Sequence, residues 1–267
     1  MGTLVVIPAR YGSVRFPGKP LAMLAGKPMI QHVYEGAARA QHAEETVVAT
    51  DDQRIVDAVE QFGGRAVLTS PSANSGTERA AEVARTRRAA VVINVQGDEP
   101  LVQPQMIDQL VDFLERHAAV PMASLMTPFK PSDDPNSPNV VKAVTDRDGF
   151  ALYFSRAPIP YERASQPANR PTGEPANRFR KHLGVYGYQR HFLLQFPSLE
   201  PTPLERLERL EQLRALEHGY RIKLLETVHD TIGVDTPDDL TRAEQLLGQG
   251  TWDKGHGPRP TSHVPNV

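Results

Sequence analysis

Short apolar runs of strand length alternate with stretches of helical periodicity from the first residues onward, an alternation expected of a largely parallel sheet covered by helices on both faces. The first half reads as strands at 3–8, 46–50, 65–69 and 90–95, with helices at 28–39, 52–62 and 77–88 between them. A helix at 104–117 and a strand at 121–127 continue the pattern. From Pro128 prolines crowd together, and two strand candidates, 140–145 and 150–155, flank Asp146-Arg147-Asp148-Gly149, whose Asp-Gly pair marks a hairpin turn. A polar stretch at 164–178 reads as a mobile loop before a strand at 182–188. A helix at 203–218, a strand at 221–228 and a helix at 237–247 return to α/β character. The expected organisation is one domain over 1–250, with a β-rich insertion at about 128–190 and a poorly ordered tail at 251–267.

A chain of 267 residues, 39% hydrophobic, buries about three quarters of its unfolded surface and needs no staples to fold. It has no cysteine, so disulfides, thiolate metal sites and a cysteine nucleophile are excluded. The formal net charge of -2 leaves no basic footprint for nucleic acid or an acidic membrane. The apolar run before Pro8 is too short for a signal sequence, no run approaches the ~20 residues of a membrane span, and Val6 breaks the myristoylation pattern after Gly2. A cytoplasmic protein is expected, with no nucleic-acid or membrane partner, its ligand held by local clusters.

One cluster follows the first strand. Ala9-Arg10-Tyr11-Gly12-Ser13-Val14-Arg15-Phe16-Pro17-Gly18-Lys19-Pro20 carries three cations and two glycines where a doubly wound sheet opens a ligand crevice, and Lys27 adds a fourth charge before the first acidic residue, Glu35. Glycines let backbone N–H groups approach phosphate oxygens, guanidinium forks grip them in pairs, and lysine adds a compact charge. A polyphosphate is the matching ligand. The loop is neither a Walker A motif, since Lys19 precedes Pro20 rather than Ser or Thr, nor a GxGxxG turn.

Two carboxylates stand at comparable places. The apolar run 91–95 ends in Gln96-Gly97-Asp98-Glu99-Pro100, which puts Asp98 beyond the carboxyl end of a buried strand. Asp235 lies between a strand and a helix whose start is already served by Thr236 as N-cap, Pro237 at N1 and Asp239 at N3, so Asp235 is spare. One or two carboxylates plus substrate phosphates are the usual seat of magnesium. A turn former before Pro100 and a helix-dipole charge are the competing explanations.

With Ile7 to Ser13, Pro17 to Leu21, Ser75-Gly76-Thr77-Glu78-Arg79, Val95 to Pro100, Tyr153 to Arg156, His182-Leu183-Gly184-Val185-Tyr186-Gly187-Tyr188, Leu210 to Arg214 and Gly233 to Pro237 in one order, the chain resembles the 3-deoxy-manno-octulosonate (Kdo) cytidylyltransferases to about Leu247. The resemblance implies a three-layer Rossmann-like α/β fold of the nucleotide-diphospho-sugar transferase kind, with a mostly parallel mixed sheet. It implies CMP transfer from CTP to Kdo for lipopolysaccharide biosynthesis, with Mg2+ as cofactor and a homodimer formed through the central hairpin region. Arg10, Lys19, Asp98 and Asp235 would be catalytic, with magnesium on Asp98 and Asp235. CTP would meet Ala9, Arg10, Gly12, Ser13, Arg15, Lys19, Ser75, Arg79 and Gln96, and the sugar would meet Gln96, Arg156, His182, Tyr186, Glu211 and Gln212. Competing readings are a relative acting on 8-amino-Kdo or sialic acid, and a non-catalytic nucleotide-binding protein.

The residues alone leave the sugar site open. Leucines every three residues through 204–216 suggest a broadly buried helix, in which Glu211 needs a partner and Arg214, three residues on, can supply one. His182 in a strand reads more readily as a satisfied core or edge histidine than as a ligand contact. Tyr186 and Tyr188 share its strand face, which fits a packed aromatic surface or a sugar platform.

Overall fold

The computed structural model describes residues 2–12, 16–73, 75–130, 133–161, 163 and 179–248. In chain order the elements are β1 (Thr3–Ala9), β2 (Met23–Leu24), β3 (Lys27–Pro28), α1 (Met29–Ala38), β4 (Glu45–Thr50), α2 (Gln53–Gln61), β5 (Ala66–Leu68), α3 (Gly76–Arg85), β6 (Val91–Asn94), α4 (Pro104–Arg116), β7 (Met122–Pro128), β8 (Lys142–Thr145), β9 (Ala151–Ser155), β10 (Arg180–Gln189), α5 (Arg190–Gln195), α6 (Pro203–Glu208), α7 (Gln212–Glu217), β11 (Ile222–Glu226) and α8 (Pro237–Gly248). No described helix is long and apolar enough to cross a membrane.

The main sheet runs β11-β7-β10-β6-β1-β4-β5. The pairs of β1 with β4 and β6, of β4 with β5 and of β11 with β7 are parallel, while β10 is antiparallel to both β6 and β7. All seven residues of β1 are buried, the continuous apolar run expected of a strand covered on both faces. Its side chains divide by parity. Val5 and Ile7 pack with Ile30 and Val33 of α1, Ile55 of α2 and Ile107 of α4, whereas Leu4 and Val6 pack with Ala80 of α3, Phe192 of α5 and Leu213 of α7. Two cores on opposite sides of one sheet make the three layers.

The hairpin forms as its turn chemistry requires: Asp146 Oδ1 accepts from the backbone N–H groups of Asp148 and Phe150, and Gly149 takes φ +75°. The expected insertion at 128–190 is only partly separate. β8 and β9 stand off the main path, but β10 lies inside it, between β6 and β7. The segment 164–178 and the tail 251–267 lie outside the described residues.

One expected element is broken. The helix at 203–218 is two short helices, α6 and α7, because Arg209 turns into the left-handed region at φ +53°. Tertiary bonds hold the break: the Glu208 carboxylate accepts from Ser155 Oγ at 2.6 Å and Arg156 N at 3.0 Å, and Arg156 Nε donates to Glu208 O. The leucine periodicity also misled about burial, since α6 contains no buried residue and Leu207 is exposed.

Candidate active site

The carboxyl end of β1 delivers Pro8, Ala9 and Arg10 to the rim of the sheet, and the loop beyond it returns through a bond from Gly18 N to Tyr11 O of 2.9 Å. Gly18 adopts φ +71°, which costs a glycine little, and the following turn aims Lys19 across the sheet end. Lys19 Nζ donates to Asp98 Oδ2 at 2.6 Å, Asp235 Oδ1 at 3.0 Å and Val234 O at 3.1 Å. Burial works to lower the Lys19 pKa, but the Asp98 and Asp235 carboxylates outweigh it and leave the ammonium raised above its ordinary value.

Each aspartate is placed by its neighbours. A Cβ on Gly97 would stand 2.6 Å from Pro8 O, so a glycine lets the turn after β6 lie directly on β1 and bring Asp98 to Lys19. A bond from Val234 N to Asp98 O, 2.9 Å, ties the two carboxylate segments together. Asp239 accepts from Thr236 N at 3.0 Å and donates its own N–H to Thr236 Oγ1, so the start of α8 is capped without the side chain of Asp235.

These groups line a cavity of about 520 Å³ that also reaches Ser75, Arg79 and Gln96. Ser75 caps α3 by accepting from Glu78 N at 3.2 Å, so the first turn of that helix opens on the cavity. Arg79 is buried, with Nη2 on Asp51 at 2.9 Å and Nη1 on Thr69 Oγ1. Arg209 also lines the cavity; the sequence signals no left-handed turn there, and the helical periodicity hid it. Gly12 does not line it, and Ser13 and Arg15 lie outside the described residues.

A second cavity, about 600 Å³, opens on the other side of the Gln96–Glu99 turn and is lined by His182, Tyr186, Gln212, Glu99, Lys181 and Asp230 among others. Lys181 Nζ meets Asp230 Oδ1 at 2.6 Å and Lys130 Nζ meets Asp230 Oδ2 at 2.8 Å. Burial, with Asp98 adding its charge, pushes the Glu99 carboxyl up to about 7. Neither Glu99 nor Lys181 was singled out from the sequence. Among the described residues Gln212 Nε2 and Glu99 Oε2 are buried without a hydrogen-bond partner.

Two sugar-site expectations resolve differently. Arg156 lines neither cavity, because its guanidinium is spent on the carbonyls of Pro138, Glu208 and Arg209. Glu211 is only a secondary partner of Arg214, which grips Glu205 with two bonds and lies 3.9 Å from Glu211. Glu211 Oε2 also accepts from Thr77 Oγ1, and burial raises its pKa.

His182 is buried against Phe154 and Tyr186. Ser124 Oγ lies 2.9 Å from His182 Nε2 and within 2.8 Å of Val185 O. A hydroxyl has one proton, so with that proton on the carbonyl it is Nε2–H of the imidazole that donates. Burial lowers the His182 pKa to about 3. The unfolded chain therefore takes up this proton first on acidification, and stability is lost below about pH 6.5 at up to about 1.4 kcal/mol per pH unit. His182→Gln should flatten that acid limb in thermal melts between about pH 7 and pH 4. Glu99, displaced upward, acts with the opposite sign from its ordinary range up to about 7, and the variant leaves that contribution in place.

The sequence model of the cytidylyltransferase family matches residues 4–223. The chain is 50% identical over 252 residues to the 3-deoxy-manno-octulosonate cytidylyltransferase of Trichlorobacter lovleyi, covering 94% of this chain and 100% of that protein. It is 50% identical over 254 residues to the enzyme of the same name from Idiomarina loihiensis, covering 94% and 100%. The chain belongs to the 3-deoxy-manno-octulosonate cytidylyltransferase family. A solved structure of CMP:2-keto-3-deoxy-manno-octonic acid synthetase complexed with CTP superimposes with a TM-score of 0.84 at 41% identity, covering 94% of this chain and 100% of that one. A cytidylyltransferase from Leptospira borgpetersenii, 14% identical with a TM-score of 0.58 over 97% and 100% of the two chains, shares the fold. Within this cytidylyltransferase, the N-terminal cationic loop and the two distant aspartates, read separately from the sequence, meet at one ammonium.

Proposed function

We propose that this chain transfers CMP from CTP to the anomeric hydroxyl of 3-deoxy-D-manno-octulosonate, giving CMP-Kdo and pyrophosphate and activating the sugar for lipopolysaccharide biosynthesis. The observation that carries the reading is Lys19 Nζ held between Asp98 and Asp235 at the wall of a cavity shared with Arg10, Ser75 and Arg79.

The reaction brings together two anions, so repulsion is the first obstacle. Arg10 and Lys19 offset it by holding the triphosphate, and they stabilise the charge that develops on the departing pyrophosphate. Ser75, Arg79 and the first turn of α3 bound the same cavity at the side assigned to the nucleoside. His182, Tyr186, Gln212 and Lys181 line the second cavity, assigned to the sugar acid. Holding the hydroxyl in line with the α-phosphorus contributes on the order of 7–11 kcal/mol when the reacting atoms are aligned. Asp98 and Asp235 fit magnesium, since both carboxylates already converge on one cation and the phosphates complete an oxygen set. Bound there, magnesium supplies charge neutralisation and makes the attacking hydroxyl more acidic.

A homodimer formed through the β8–β9 hairpin belongs to the same reading; the hairpin branches from β10 off the main strand path and exposes Leu152. A cytoplasmic location matches nucleotide and sugar-acid substrates. The deciding test is pyrophosphate release from CTP with magnesium and, in parallel, Kdo, 8-amino-Kdo and sialic acid. Release dependent on Kdo supports the assignment. Release with another sugar alone, or none with any, ends it.

A further inference from the structure

Glu99 is adjacent to Asp98 in the chain yet faces away from it into the second cavity. Its side chain is buried, and Oε2 has no hydrogen-bond partner among the described residues. An unpartnered buried carboxyl oxygen lowers stability by leaving a desolvated acceptor unsatisfied. β10 breaks register between Leu183 and Tyr186, and a Cβ on Gly184 within that bulge would stand 2.7 Å from Glu99 Oε1 and 3.6 Å from Gln96 Cγ. Bulges are over-represented next to functional sites, and the absent side chain at Gly184 leaves room for the Glu99 carboxyl beside the cavity.

We propose that Glu99 is a specificity-determining residue, whose Oε2 accepts a hydrogen bond from a hydroxyl of the polyhydroxylated sugar acid in the second cavity. The inference rests on the sugar assignment of that cavity made above. Lys181 and Lys130 are held on Asp230 in the same cavity, so cationic and acceptor groups face one volume. That pairing suits a ligand carrying both a carboxylate and hydroxyl donors.

Glu99→Met tests it, because methionine fills a similar length and removes the acceptor. The expected result is a KM for the sugar acid raised at least tenfold, a KM for CTP within about twofold, and a melting temperature equal to or above that of the parent. Rising sugar KM with undiminished stability is a signature that a merely structural carboxylate does not produce. Glu99→Gln keeps the side-chain shape while replacing the carboxylate by an amide, and it should raise the sugar KM without lowering the melting temperature. An unchanged sugar KM in both variants overturns the proposal, as does a lowered melting temperature with both KM values raised alike. The parent enzyme is assayed alongside: if it releases no pyrophosphate with Kdo, the functional reading fails, whereas normal parent activity with unaltered variants sinks only the role of Glu99.

Discussion

Asp98→Asn is expected to lower kcat by about a hundredfold or more, the scale seen when one electrostatic group at a reacting centre is lost, while the protein remains folded. Asparagine is nearly isosteric and retains one oxygen, so Lys19 Nζ keeps an acceptor where it now meets Asp98 Oδ2 at 2.6 Å. The backbone bond from Val234 N to Asp98 O is untouched. What disappears is a formal negative charge facing the position where two carboxylates converge, and a divalent cation is far more sensitive to that charge than an ammonium already bound to Asp235. Steady-state kinetics over a magnesium titration, with a thermal melt as fold control, separates the effects. A near-normal kcat at saturating magnesium would remove Asp98 from the metal site. Because Asp98 and Asp235 share one cation, the double Asn variant should lose much less than the product of the two single losses.

The features that were legible in the sequence are those set by local rules. β1 and β6 announce themselves as continuous apolar runs, and in a parallel sheet the residues after such runs, Arg10 and Asp98, must emerge on one side. Asp235 was legible by a subtraction: Thr236 and Asp239 cap α8, which frees the neighbouring carboxylate for Lys19. What was not legible depends on distant partners. The turn at Arg209 is held by the carbonyl and carboxylate of Glu208 meeting Ser155 and Arg156 across more than fifty residues, and no local pattern encodes it. The leucine repeat around it argued for one helix. Arg214 likewise meets Glu205 more closely than Glu211, because the break between α6 and α7 lets Glu205 reach it. Glu99 was hidden for another reason: beside Asp98 it reads as a turn residue, and only the bulge at Gly184 shows that its carboxyl has been given room.

Lys19→Ala is expected to raise the KM for CTP by roughly ten- to a hundredfold, the value of a charge-assisted hydrogen bond to a charged ligand, together with a fall in kcat. The geometry adds a second consequence. The Lys19 ammonium occupies the meeting point of Asp98 and Asp235, so a metal ion entering there must displace it. Removing the ammonium leaves two carboxylates facing each other with mutual repulsion, which lowers the stability of the metal-free protein and increases what a divalent cation restores. Magnesium alone should therefore raise the melting temperature of the Lys19 variant by more than it raises that of the parent. Lys19→Met, which keeps an apolar stem in this mostly buried position, should behave the same way and so excludes loss of packing as the cause. Unchanged KM and kcat for CTP would move the triphosphate elsewhere. Equal magnesium shifts in variant and parent would show that the ion does not compete with this lysine for the two aspartates.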